Sequence, residues 1–132
     1  IITEVAIGKR KEITVFGDNY NTPDGTCIRD YIHVVDLAKS HVKAMNFLIN
    51  NPGKYAFNVG TGIGISVLDA IKAFEKTNKL SINYSIGPKR DGDIEQIYAN
   101  GSLVKEKLGW EAKETLHQAM ISAWDWEKQK SS

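Results

Sequence analysis

Two arginines and an aspartate carry the clearest chemistry in this sequence. Arg29 lies in Arg-Asp-Tyr-Ile-His-Val (29–34), while Arg90 and Asp93 sit three residues apart in Pro-Lys-Arg-Asp-Gly-Asp (88–93). A guanidinium presents a planar fork of donors that suits the oxygens of a diphosphate. A carboxylate accepts from both hydroxyls of a ribose. Together the three residues predict a site for one nucleoside diphosphate, with each charge-assisted bond contributing about 1.5–3 kcal/mol. Each also has a plainer role open to it: Arg29 can pair with Asp30 or Asp36 or stand exposed, and 88–93 can be a solvated loop.

Gly60-Thr61-Gly62-Ile63-Gly64 follows an apolar run and precedes a helix pattern, an arrangement able to cradle phosphate. Its spacing is G-x-G-x-G, and no acid stands about 20 residues on to hold a ribose, since Glu75 comes too early and Asp91 too late. A tight strand-to-helix turn is the expectation, and no dinucleotide site of the chain's own. His33 and His41 lack further ligands at metal spacing, so they are expected to be structural and no metal site is expected. Cys27 follows a loop with no activating base beside it and reads as a small packing residue. Trp110, Trp124 and Trp126 are surrounded by no basic stripe, so a nucleic-acid stacking platform is not expected.

The 132 residues amount to one domain at most, with 42% hydrophobic and 25% charged side chains, enough to build a core. Seventeen basic and sixteen acidic residues give +1, unlike a strongly basic nucleic-acid binder. No apolar run reaches the ~20 residues of a membrane span, and the single cysteine forms no internal disulfide and agrees with a reducing cytosol. Ile1, Ile2, Val5 and Ala6 fall at helical spacing up to Gly8, as in the last turns of a helix with a glycine cap. With Ile rather than Met in first place, the expectation is a fragment of a longer protein.

The elements that must hold the three charged residues follow from periodicity. Strands are expected at 13–17, 27–34, 55–59 and 81–87, separated by turn chemistry at 18–26 and by Asn51-Pro52-Gly53. Asp36 is expected to cap a helix whose apolar face is Leu37, Ala38, His41, Val42, Met45, Leu48 and Ile49. Ser66 with Asp69 matches a capping box before a helix over 67–76. Ser102 is expected to cap 103–108, stopped by Gly109, and Thr115 to open the last helix. Strands alternating with helices predict an α/β fold, a small mixed sheet with helices.

VFGDNYNTPDGTCIRDYIHVVDLAKSHVKAM, then FNVGTGIGISVLDAIKAFE, then PKRDGDIEQIYAN and KLGW, resemble the C-terminal part of the UDP-glucose 4-epimerases, of the extended short-chain dehydrogenase/reductase superfamily. The match is in order over nearly the whole chain. The resemblance implies a UDP-binding domain over 1–132, an NAD-binding Rossmann domain absent from this chain, UDP-glucose and UDP-galactose as substrates, and a cytoplasmic homodimer in galactose metabolism. It also implies that Thr14, Val15 and Phe16 line the uracil site, that Arg29 and Arg90 hold the diphosphate, and that Asp91, Gly92 and Asp93 meet the ribose. Val67 joins the nucleoside wall. Ile97 faces the sugar, where its intermediate bulk leans toward hexoses without an N-acetyl group.

Two departures are Lys89, where a second arginine is common, and Gly101, where proline or alanine is usual. No tyrosine has lysine four residues later, so the family's catalytic pair is missing and the chain alone is expected to be inactive. Two other readings stay open: another nucleotide-sugar enzyme of the superfamily (a dTDP-glucose dehydratase or a UDP-glucuronate-processing enzyme), and a non-catalytic nucleotide-sugar sensor.

Overall fold

The computed structural model describes residues 1–131. Its first strand, β1 (Ile13–Phe16), alternates buried Ile13 and Val15 with outward Thr14 and Phe16, as a half-buried strand must. It pairs in parallel with β4 (Tyr84–Gly87), in the register Ile13 with Tyr84 to Phe16 with Gly87. Helix α3 (Val67–Asn78) lies between them in the chain and turns Ala70, Ile71 and Phe74 inward. These join Ile82 and Met120, the latter from α5 (Leu116–Lys130), in the main core, where the Phe74 and Trp124 rings meet edge-on at 6.0 Å.

A second ribbon positions Arg29. In it β2 (Ile28–Arg29) pairs antiparallel with β3 (Ile65–Ser66), while Ile28 also accepts the Ile97 amide and donates to Glu95 on its other side. The expected mixed sheet is therefore two separate two-stranded sheets, one parallel and one antiparallel. The strand expected over 27–34 is confined to these two residues. Its remainder leads into α2 (Val34–Asn50), so the β-branched Val34 and Val35 begin a helix instead.

Because α2 starts there, its cap is His33 and not Asp36. The His33 Nδ1 accepts the Val35 amide at 3.0 Å, and its Nε2 lies 2.9 Å from the Ser122 hydroxyl. Asp36 sits buried in the first turn and accepts the Lys113 and Glu114 amides at 2.7 Å each, tying α2 to the chain just ahead of α5. Burial alone raises its carboxyl, but those two amides outweigh it, so the Asp36 pKa is lowered.

Most of the apolar face expected of α2 is turned outward. Asp36 and Ser40 are buried, and Ala44 and Phe47 pack against a second core of Val104, Leu108 and Trp110. Val42, Met45, Leu48 and Ile49 point outward. The segment 55–59 joins no ladder among the described residues, so it is not a strand here. Tyr55 and Phe57 instead cluster with Phe47 through ring contacts at 5.1 and 6.3 Å.

The remaining elements follow local rules. Helix α1 (Ile2–Ala6) ends at Ile7, followed by Gly8 at φ +81. The Ser66 hydroxyl accepts the Asp69 amide at 3.0 Å, and Thr115 forms a full capping box with Gln118. In α4 (Ser102–Leu108), Ser102 is the first helical residue rather than the cap. Its amide is taken by Asn100 Oδ1 at 3.0 Å, and Gly109 closes the helix in the left-handed region.

Candidate functional site

The turn Thr22-Pro23-Asp24-Gly25-Thr26 fixes the start of β2. Asp24 accepts the Thr26 amide at 2.9 Å and the Thr26 hydroxyl at 2.8 Å, and it also accepts the Ser66 hydroxyl. The Val67 amide then bonds to the Cys27 carbonyl at 3.1 Å. This network lays Cys27–Arg29 against the N-terminus of α3. On the far side of β2, the Ile28 bonds to Glu95 and Ile97 bring in the loop that follows Arg90.

Those bonds make two distant arginines neighbours. The Asp93 carboxylate accepts both Nε and Nη2 of Arg90, at 2.9 and 3.0 Å, and lies 3.8 Å from Nη2 of Arg29. Arg29 also donates Nη1 to the Ile28 carbonyl at 2.8 Å, so its partners are neither Asp30 nor Asp36. The Asp93 bond raises the already high pKa of Arg90. The Arg90 guanidinium lies 4.5 Å over the Phe16 ring, a cation–π contact that covers one aromatic face.

Thr14, Val15, Phe16, Arg29, Val67, Arg90 and Asp93 line one cavity of about 320 Å³. The Ile13 and Gly17 amides bond toward β4. Alternate residues of a strand present main-chain groups to opposite edges, so those of Thr14 and Phe16 face away from β4, an edge able to read a planar base. Asp91 and Gly92 do not line the cavity. They form the turn, with Gly92 at φ +80, that lets the Asp93 amide bond back to the Arg90 carbonyl. Ile97 lines a second hollow of about 460 Å³ with Asn58, Tyr98 and Asn100, and Arg29 borders both spaces. A larger apolar cavity of about 820 Å³ between α2 and 105–113 holds none of the predicted residues.

Sequence reasoning left out several residues of the first cavity's wall: Ile1 and Ile2 from α1, Cys27, Tyr31, Ala70 and Ile71. Burial pushes the Tyr31 phenol up. Cys27 is buried, in keeping with a packing role, yet it borders the cavity. The apolar spacings of 1–6 and 67–74 and the expected strand over 27–34 marked these residues as apolar or structural, but none of them as cavity wall.

The glycine turn is bound to Asp30. That carboxylate accepts the Thr61 amide at 2.9 Å, the Thr61 hydroxyl at 2.6 Å, the Gly62 amide at 3.0 Å and the Ala99 amide at 3.1 Å. Burial opposes ionisation of Asp30, the bonds outweigh it, and its pKa is lowered. A Cβ at Gly60 would overlap the same carboxylate. Two of the turn's amides are therefore satisfied internally, beside a negative charge, so these residues do not fit a dinucleotide phosphate. Among the described residues no three His, Cys, Asp or Glu side chains are grouped to hold a metal ion.

A family model described as GDP-mannose 4,6 dehydratase matches residues 1–122. The chain belongs to that family. It is 49% identical over 127 residues to the UDP-glucose 4-epimerase of Haemophilus influenzae, covering 96% of this chain and 38% of the relative. It is 46% identical over 131 residues to the human UDP-glucose 4-epimerase, covering 99% and 38%. The UDP-glucose 4-epimerase of Stenotrophomonas maltophila, solved with NAD and formylated UDP-arabinopyranose, superposes with a TM-score of 0.94 at 45% identity, over 98% of this chain and 39% of that one. The Bifidobacterium longum enzyme, solved with NAD+ and UDP, gives 0.88 at 45%, over 98% and 38%. The α/β fold is thus that of part of these enzymes, and the chain spans less than two-fifths of their length at 38%.

Proposed function

We propose that the chain is the UDP-binding, C-terminal portion of a UDP-glucose 4-epimerase, interconverting UDP-galactose and UDP-glucose in galactose metabolism. The observation that carries this reading is the convergence of Arg29 and Arg90 on one carboxylate beside the free edge of β1. In this assignment the Thr14–Phe16 edge and Val67 receive uracil, the two guanidiniums hold the diphosphate, and Asp93 takes the ribose hydroxyls. Asp91 and Gly92 shape the loop that presents Asp93. The sugar then extends past Arg29 into the hollow bordered by Ile97, whose bulk favours hexoses without an N-acetyl group.

NAD, which the two solved relatives contain, is assigned to the remainder of the polypeptide, because the Asp30-bound glycine turn cannot take it. The same remainder covers the outward aliphatic side of α2 and pairs with segment 55–59. The assembled enzyme is proposed to be a cytoplasmic homodimer. A single unpaired cysteine suits a reducing compartment, and no helix among the described residues is long and apolar enough to cross a membrane.

The test is titration of the full-length polypeptide with UDP and dTDP. UDP binds more tightly than dTDP, and Arg29→Ala weakens UDP by about tenfold or more, as loss of a charge-assisted bond requires. Unchanged UDP affinity in Arg29→Ala and Arg90→Ala together refutes the site. With NAD and UDP-galactose the full-length polypeptide turns over and the chain alone does not. Equal efficiency on UDP-galactose and UDP-N-acetylgalactosamine refutes the role given to Ile97.

A further inference from the structure

Asp93 is an anion placed between two cations that border the same cavity. Its carboxylate takes two donors of Arg90 and lies 3.8 Å from Arg29. It is also the most enclosed of the three, 17% exposed against 28% for Arg29 and 58% for Arg90. An anion that reaches both guanidiniums must come close to this carboxylate, and like charges a few ångströms apart in a half-enclosed cleft repel strongly. A ligand that carries hydroxyls beside its phosphates offsets the repulsion. An ionised carboxylate has about four lone-pair sites and Arg90 occupies two, which leaves acceptors for a vicinal diol.

We propose that Asp93 sets the anion selectivity of the site, turning away bare inorganic pyrophosphate and admitting a diphosphate that carries a ribose diol. Two arginines on an open cavity, without this acid, would gather polyanions indiscriminately. Asp91 cannot replace it, because it lies outside the cavity lining. The inference rests on the diphosphate reading and adds to it the rule by which the anion is chosen.

The experiment is calorimetric titration of the full-length polypeptide, parent and Asp93→Asn, with inorganic pyrophosphate, UDP and 2′,3′-dideoxy-UDP. Asparagine keeps the size and an acceptor for Arg90 but removes the charge. The parent binds UDP at least about tenfold more tightly than the dideoxy analogue. The variant binds pyrophosphate about tenfold more tightly than the parent does, while its UDP affinity does not rise. Pyrophosphate weakening in the variant together with UDP overturns the proposal, for Asp93 then only holds the arginines in place. If the variant does not fold, the parent alone decides: equal affinity for UDP and its dideoxy analogue overturns the proposal. A parent that binds no UDP removes the diphosphate reading itself, an outcome distinct from intact UDP binding without discrimination.

Discussion

Replacing Asp30 by asparagine isolates the joint between the glycine turn, β2 and the segment around Ala99. Oδ1 faces the Thr61 amide and hydroxyl, and Oδ2 faces the amides of Gly62 and Ala99. An asparagine has one oxygen. If its NH2 group takes the Oδ2 place, it meets two N–H donors that cannot turn away. If it takes the Oδ1 place, the Thr61 hydroxyl can rotate to accept, but the Thr61 amide is orphaned. One or two unsatisfied donors at about 1–3 kcal/mol each predict a loss of about 1–6 kcal/mol. Urea denaturation of the purified polypeptide followed by tryptophan fluorescence reads this directly, as a lower midpoint at unchanged slope. Because the Asp30 pKa is lowered on folding, the variant should also lose part of the parent's acid-dependent stability. An unfolding free energy within about 0.5 kcal/mol of the parent's, with the same pH profile, refutes the assignment of these bonds as a structural joint.

Three further outcomes are expected. Phe74→Ala removes a fully buried ring from the main core and costs about 3–5 kcal/mol in the same denaturation experiment. Gly25→Ala is strained twice over, at φ +78 and with its Cβ overlapping the Asp18 carbonyl. It should destabilise by at least about 1–3 kcal/mol and lower UDP affinity by displacing β2. Acidification destabilises through Asp24, Asp30 and Asp36, whose pKa values are all lowered on folding. Their contribution is complete above the unfolded value of about 3.9 and disappears as pH falls through the lower folded values, so denaturation midpoints should hold steady near pH 6–7 and fall below about pH 4.

The charged residues that line the first cavity were legible because they stand out by residue type. Two guanidiniums and a carboxylate are the set proposed for diphosphate and ribose, and the Ile28 amide and carbonyl, bonded to Glu95 and Ile97, bring the loop of Arg90 and Asp93 beside Arg29. Local rules also held: Ser66 and Thr115 cap as their spacing predicts, since a cap depends on residues three apart. What escaped was non-local. Segment 55–59 has strand composition, but a ladder needs a second strand that sequence pattern cannot supply. The α2 periodicity gave the apolar side correctly, yet not what faces it. Its inward side is set by Asp36 reaching two amides near residue 113, a contact across the chain. The wall residues Cys27 and Tyr31 were missed for the same reason, since a cavity lined from distant segments leaves no local signature.

The inside-out attachment of α2 changes how this helix behaves. It is fastened to its own chain by a carboxylate and aromatic neighbours, and it offers water a strip of Val42, Met45, Leu48 and Ile49. Polar fastening survives kosmotropic salts, while bare aliphatic strips are driven together by them. Purified without a cover, the chain should therefore precipitate while still folded, and its solubility would report the state of that strip long before its melting temperature did.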